Sequence, residues 1–201
     1  METDIKYNCE NGIAITEFKG TKGTLNFFDT QVLIEMAKNM PPNGKYAETG
    51  SYLGCSALIV AHFSNAATVW AHDIWVNEWS DLKGDPPPEV KDYFYEFYKA
   101  VKNNNMENRI IPIRGDSVYT LGIHDDESID LIFVDGDHSY EGCFNDITKA
   151  WPKLKKGGAM LVHDCVRESN PLKAVDDFCK TNDIEYYIIQ NTCGMVYIKK
   201  N

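Results

Sequence analysis

The sequence has no CxxC pair, no Cys/His cluster at zinc spacing and no internal repeat. No apolar run approaches the roughly 18 residues that a membrane span requires. Its cysteines (Cys9, Cys55, Cys143, Cys165, Cys179, Cys193) are scattered, which argues against a zinc centre and against a cysteine-dense disulfide scaffold. Reduced thiols in a cytoplasmic protein are the expectation. Basic side chains are in short supply: 20 Lys and Arg stand against 30 Asp and Glu, a formal charge of −10. A field of that sign repels phosphate, so neither a nucleic-acid partner nor an anionic membrane surface is expected. The opening residues, METDIKYNCENG, lack the basic-then-apolar pattern of a secretory leader. There is also no Gly/Ser/Pro-rich linker to split the chain, so residues 1–201 are read as one domain. With 43% hydrophobic residues, disorder is excluded, and a chain of this length buries roughly 70% of its unfolded surface without a staple.

What is present is alternation. Short β-rich apolar runs take turns with amphipathic stretches, the pattern of an α/β domain with a largely parallel sheet. Thr30 is placed to cap a helix over Gln31–Lys38, which Pro41-Pro42-Asn43-Gly44 ends. Strands are read at Lys45–Glu48, Thr68–Ala71, Ile110–Ile113, Ile129–Val134 and Ala159–Val162, the last entered through a turn at Gly157-Gly158. Pro112 marks Ile110–Ile113 as an edge strand. Ile129–Val134 is apolar enough for burial on both faces. Helices are expected over Cys55–Phe63, from about Tyr140 to Trp151, and over Leu172–Thr181. The tail, Glu185–Ile189 and Met195–Ile198 around Asn191–Gly194, reads as an antiparallel pair. The first twenty residues carry no readable motif.

One stretch breaks the alternation. From Trp75 to Tyr98 the chain carries Trp79, Pro86-Pro87-Pro88 and the cluster Tyr93-Phe94-Tyr95 with Phe97. That is long for a strand-to-helix connection and suits a lid or an acceptor-binding loop. The competing reading makes the aromatics the core face of a helix from Pro88 to Asn103.

The residues with chemistry sit where strands end. Glu48-Thr-Gly50-Ser51-Tyr52-Leu-Gly54-Cys-Ser56 joins a strand to a helix. Gly50 permits a sharp turn and close approach of backbone to a ligand, and the helix start beyond it presents free N–H groups. The spacing Glu-x-Gly-x-x-x-Gly is not the Gly-x-Gly-x-x-Gly of a dinucleotide site. The next strand ends in His72-Asp73, and a carboxylate there suits a ribose diol, with two acceptor oxygens for two hydroxyls. The following strand ends delivers Gly115-Asp116-Ser117, then Asp135-Gly-Asp137-His138, then His163-Asp164. In an open parallel sheet these ends share one ligand-binding rim.

Together with Ile129-Asp-Leu-Ile-Phe-Val-Asp-Gly-Asp-His-Ser-Tyr-Glu141 and Leu154-Lys-Lys-Gly-Gly-Ala-Met-Leu-Val-His-Asp164, these motifs resemble class I S-adenosylmethionine-dependent methyltransferases. The resemblance is closest to the branch of macrocin-type sugar O-methyltransferases and runs from about residue 20 to 201. It implies a Rossmann-like fold: a mainly parallel seven-stranded sheet with a C-terminal antiparallel hairpin. It implies that Glu48, Gly50, Ser51, Tyr52, Gly54 and Ser56 hold the methionine and ribose of the cofactor. Asp73 would take the ribose hydroxyls, Ile74 and Trp75 would lie beside the adenine, and Asp116 and Ser117 at its amino group. The acceptor would sit above Asp135, Asp137, His138 and Asp164. His138 stands three residues after Asp135, where relatives place a base, and an imidazole suits proton removal near neutral pH; Asp137 is the rival.

Relatives in this branch also hold magnesium on the acids at Asp135 and Asp164, and carboxylates suit a hard cation. This chain departs from them, because His163 and Cys165 flank Asp164 where a third oxygen ligand is usual. The reading is therefore a methyltransferase acting on a hydroxyl of a small acceptor, plausibly a sugar. The alternatives are methyl transfer to nitrogen and a non-catalytic cofactor-binding module. The aromatic-rich stretch leaves a homodimer open.

Overall fold

Strands with apolar side chains on both faces belong in the middle of a covered sheet, and Ile129–Val134 lies there. The computed structural model describes residues 4–10, 12–76 and 92–201. In chain order its elements are β1 (Ile5–Glu10), β2 (Ile13–Phe18), β3 (Thr21–Gly23), α1 (Phe27–Asn39), β4 (Lys45–Thr49), α2 (Cys55–Phe63) and β5 (Thr68–Asp73). There follow α3 (Tyr93–Asn103), β6 (Ile110–Arg114), α4 (Ser117–Thr120), β7 (Ile129–Val134) and α5 (Tyr140–Ala150). The chain closes with β8 (Leu154–Val162), α6 (Asn170–Asn182), β9 (Tyr186–Ile188) and β10 (Val196–Lys199).

Seven strands form the main sheet in the order β6-β5-β4-β7-β8-β10-β9. The first five in that row run parallel, and β10 pairs antiparallel with both β8 and β9. Chain order reverses at the β4/β7 pair, the crevice where open α/β sheets bind ligands. Register there sets Thr49 beside Val134, which brings the residues after each strand, Gly50 and Asp135, side by side. β6 is an edge strand, and its proline costs no ladder bond on the open side. One face of the sheet is covered by α1, α2 and α3 around Leu33, Leu58, Phe97 and Phe133. The other is covered by α5 and α6 around Ile132, Ile147, Met160 and Phe178.

Two local expectations need correction. Thr30 does not cap α1. Asn26 does, accepting from Asp29 N while Asp29 returns the bond to Asn26 N, a reciprocal capping box. Thr30 is buried one turn in and bonds Asn26 O and Thr16 Oγ1 instead. Gly157-Gly158 does not precede its strand but lies inside β8. Gly157 has φ 80° and the β7–β8 register shifts between Ile129 and Leu131, so the pair forms an irregularity that keeps the ladder going. The N-terminal stretch, which carries no readable motif, is nonetheless structured: β1, β2 and β3 make a separate antiparallel sheet. It is pinned to the main body by Thr16 and by Phe18, which is buried against Phe63.

The helix reading of the aromatic stretch holds for α3, capped by Asp92, with Phe97 and Val101 buried. Trp79 and Pro86–Pro88 lie outside the described residues.

Candidate active site

The carboxyl ends of β4, β5, β6 and β7 open onto one cavity of about 950 Å³. Beneath it, Glu48 is fully buried at the end of β4, where Tyr46 Oη donates to its Oε2 at 2.7 Å. Burial pushes the Glu48 carboxyl up to about 7, against the pull of the hydroxyl groups around it. Glu48 Oε1, Thr49 Oγ1 and Ser51 Oγ are buried with no hydrogen-bond partner among the described residues.

Gly50 has φ 80°, and a Cβ there would overlap the carbonyl of Asp135. Only glycine lets the turn after β4 pass so close to the turn after β7. Tyr52 (φ 47°) and Trp75 (φ 42°) both adopt the left-handed conformation, which is strained for large side chains. Asp73 holds both: its Oδ2 accepts from Tyr52 N at 2.8 Å and its Oδ1 from Trp75 N at 2.6 Å. Burial pushes the Asp73 carboxyl up while these N–H groups oppose it. Trp75 is itself buried against Phe97, and its indole N–H donates to Tyr52 O at 2.8 Å. Ile74 is more open, at 37% exposed. Asp116 caps α4 by accepting from Val118 N at 2.9 Å.

Ser51, Ser56, Asp73, Asp116, Ser117 and His138 thus line one cavity, with Gly50, Tyr52, Ile74, Trp75, Asp135 and Asp137. Glu48, Gly54 and Asp164 are not part of that lining, and Glu48 is fully buried. Two contributors escaped the sequence reading. Asp146 on α5 accepts from Ser117 Oγ at 2.5 Å; it looked like any helix-face acid. The second is a wall that includes Glu10, Ile13, Ile15 and Lys22 of the small N-terminal sheet.

The acids after β7 and β8 meet two imidazoles. His138 Nε2 lies 3.2 Å from Asp164 Oδ2 and 3.7 Å from Asp135 Oδ1. The neighbouring Asp135 carboxylate, with Asp164, raises the His138 pKa, and partial desolvation opposes it. Asp137 is engaged locally, accepting from Ser139 N at 2.8 Å and from Ser139 Oγ at 3.0 Å. His163 sits behind this pair, its Nδ1 3.2 Å from Asp135 Oδ1 and 3.6 Å from Asp164 Oδ1. Its Nε2 lies 3.3 Å from Asp29 Oδ2.

Asp135, His138 and Asp164 offer ligand atoms within 4.8 Å of one another. Asp135 and Asp164 are oxygen donors of the kind that hold Mg²⁺, which is commonly bound by one or two carboxylates and completed by water, but His138 is not. Mg²⁺ wants oxygen donors in near-octahedral array, whereas the third donor here is an imidazole. Three carboxylate oxygens, Asp135 Oδ1 and both of Asp164, already face imidazole nitrogens.

The sheet that reverses at β4/β7, the glycine turn after β4, the acid after β5 and the terminal antiparallel hairpin define the Rossmann-like class I S-adenosylmethionine-dependent methyltransferase fold. The chain belongs to the methyltransferase-domain family, whose profile matches residues 47–165. Solved structures agree on the fold. The O-methyltransferase NovP is 18% identical, with a TM-score of 0.68 over 88% of this chain and 81% of that one. The methyltransferase PaMTH1 of Podospora anserina, solved with S-adenosylhomocysteine bound, is 18% identical, with a TM-score of 0.64 over 86% and 77%. A protein of Corynebacterium glutamicum is 16% identical, with a TM-score of 0.67 over 89% and 82%. No curated protein sequence matches the chain. Among the described residues no helix is long and apolar enough to cross a membrane.

S-adenosylmethionine fits the cavity. The Gly50 turn leaves on its wall a surface that no Cβ fills, Ser56, Asp73 and Asp116 add polar groups, and the volume suits a small-molecule cofactor with its substrate.

Proposed function

We propose that this methyltransferase modifies a hydroxyl of a small acceptor, of the sugar class used by the macrocin-type branch that it resembles. The observation that carries the reading is the Asp164–His138 pair, 3.2 Å apart, beside the cavity. With Nε2–H donated to the carboxylates, the neutral ring keeps a lone pair on Nδ1, which has no partner among the described residues. A carboxylate on one nitrogen fixes the tautomer and orientation of a histidine base and stabilises the imidazolium it becomes. Nδ1 would take the acceptor's proton as its oxygen attacks.

Bound S-adenosylmethionine supplies an electrophilic methyl group on a positively charged sulfur. Ser51, Tyr52 and Ser56 would hold its methionine end, with Glu48 behind them and Gly50 and Gly54 shaping the turn. Asp73 would grip the ribose hydroxyls. Ile74 and Trp75 would flank the adenine, with Asp116 and Ser117 at its amino group.

The test is S-adenosylhomocysteine release over a panel of sugars, phenols and amines, with wild type and His138→Ala. Hydroxyl acceptors should turn over, and His138→Ala should lose about 10²–10⁴-fold, the usual worth of a positioned base, while still binding S-adenosylhomocysteine. A variant that keeps more than about a tenth of the rate has not lost its base on that scale. Turnover of amines alone would replace the hydroxyl reading, and no turnover with intact binding would favour a cofactor-binding module.

A further inference from the structure

Asp146 is a buried acid on the cavity wall to which the methyl-transfer chemistry gives no role. It comes from α5, 29 positions after Ser117, and its Oδ1 accepts from Ser117 Oγ at 2.5 Å. Its other oxygen lies beside the turn after β7, where a Cβ on Gly136 would come 3.0 Å from Oδ2. Glycine between Asp135 and Asp137 thus gives the carboxylate its room. Ser117 is half-buried at the start of α4, and both side chains line the cavity.

An acid on a helix face is ordinarily left in water; Asp146, 3% exposed, has left it for a partner. A carboxylate only accepts hydrogen bonds, whereas a hydroxyl has one proton to give and two lone pairs to receive. Burial pushes the Asp146 carboxyl up, and the Ser117 hydrogen bond opposes it by stabilising the carboxylate. Ser117 has therefore committed its one proton to Asp146. Toward the cavity its oxygen offers lone pairs alone. The neighbouring Asp116 adds a carboxylate to the same corner, with Oδ1 already accepting from Val118 N.

We propose that Asp146 is a positioning residue for cofactor recognition: by taking the Ser117 proton it makes Ser117 an obligate acceptor. This corner of the cavity then takes a base with an exocyclic amino group and rejects one with a carbonyl in its place. The inference rests on the reading that Ser117 meets the adenine amino group, and adds what makes that meeting selective. An amino group gives an N–H to Ser117 Oγ. In the 6-oxo base, the carbonyl oxygen would face the Ser117 lone pairs and leave both sides unsatisfied.

Calorimetry with S-adenosylhomocysteine and S-inosylhomocysteine, which differ at that edge of the base, tests this without an acceptor. Wild type should prefer the adenosyl compound by about 10–100-fold, the cost of leaving a buried polar group unpaired. Asp146→Leu keeps the bulk, frees the Ser117 hydroxyl to rotate and donate, and should cut that preference about 10-fold. Ser117→Ala should cut it as well. Adding Asp146→Leu to Ser117→Ala should change the ratio no further, because Asp146 acts through that hydroxyl. A residue with only a structural role would weaken both ligands alike; an unmoved ratio in Asp146→Leu would overturn the proposal. So would a loss of preference from Asp146→Leu that persists when Ser117 is already alanine. Should Asp146→Leu not fold, Ser117→Ala decides, since a wild-type ratio there would show that the hydroxyl reads nothing. No binding of S-adenosylhomocysteine would overturn the cofactor placement together with this inference. Equal, tight binding of both compounds by wild type would overturn this inference alone.

Discussion

Asp73 holds the glycine turn from the neighbouring strand, its Oδ2 accepting from Tyr52 N at 2.8 Å. Tyr52 is left-handed at φ 47°, a conformation that costs of order 1–3 kcal/mol and survives only when neighbours impose it. One carboxylate therefore shapes the turn and remains on the cavity wall for a ligand.

Replacing Asp73 should accordingly damage the cofactor site twice. Asp73→Ala should weaken S-adenosylhomocysteine binding by about 1.5–3 kcal/mol, the range for a charge-assisted hydrogen bond, as read by calorimetry. Asp73→Asn keeps one acceptor oxygen and should lose less. An unchanged dissociation constant in the alanine variant would move the ribose contact elsewhere.

Gly50→Ala tests the close approach of two turns. A Cβ at Gly50 would overlap the Asp135 carbonyl, and alanine at φ 80° is strained besides. Stability should fall by about 1–3 kcal/mol or more, measured as a shift in the urea midpoint. Cofactor binding should weaken with it. A variant with the wild-type midpoint would show that the turns have room to part.

Glu48 makes stability depend on pH. Its folded value of about 7 lies above the ordinary 4.5, so the folded state holds a proton that the unfolded chain releases. The stabilisation is fully present below about 4.5 and is lost as pH rises through about 7, with a limiting slope of roughly 1.4 kcal/mol per pH unit. Thermal unfolding of wild type and Glu48→Gln from pH 5 to 8 should show the difference between them shrink in that direction. Parallel curves would mean that Glu48 is ionised throughout.

His138 should set the pH profile of catalysis. Its pKa is raised by the Asp135 carboxylate first and by Asp164, burial opposing. The neutral, proton-accepting ring therefore dominates only above the ordinary imidazole value of 6.5. The rate should rise with pH on the alkaline side of 6.5, and Asp164→Asn, with one attracting charge removed, should move the limb down. A limb that stays put in Asp164→Asn would assign the titration to another group.

The main sheet was legible because its strands are apolar runs and its ends carry acids: Ile129–Val134 is buried nearly throughout, and Asp73, Asp116 and Asp135 line the cavity. The small sheet was not, because β1 turns mostly exposed side chains outward on both faces and β3 has three residues. Such strands have no hydrophobic period to read. Thr30 was the obvious cap beside an apolar run, yet Asn26 followed three residues later by Asp29 carried the better signal. Asp29 could not have been joined to His163 at all. They lie 134 positions apart, and only the tertiary fold brings their side chains to 3.3 Å.

The N-terminal sheet shares the cavity with the glycine turn while owning none of the cofactor motifs. Glu10, Ile13, Ile15 and Lys22 line the cavity from a unit outside the main sheet, with Lys22 paired to Glu10 at 2.7 Å. On the proposed function, the acceptor would meet this sheet while the glycine turn would hold the methyl donor. Exchanging this three-stranded piece between relatives would then test acceptor choice, and because Thr16 and Gly23 pack on Cys55 at the start of α2, the glycine turn would feel the exchange.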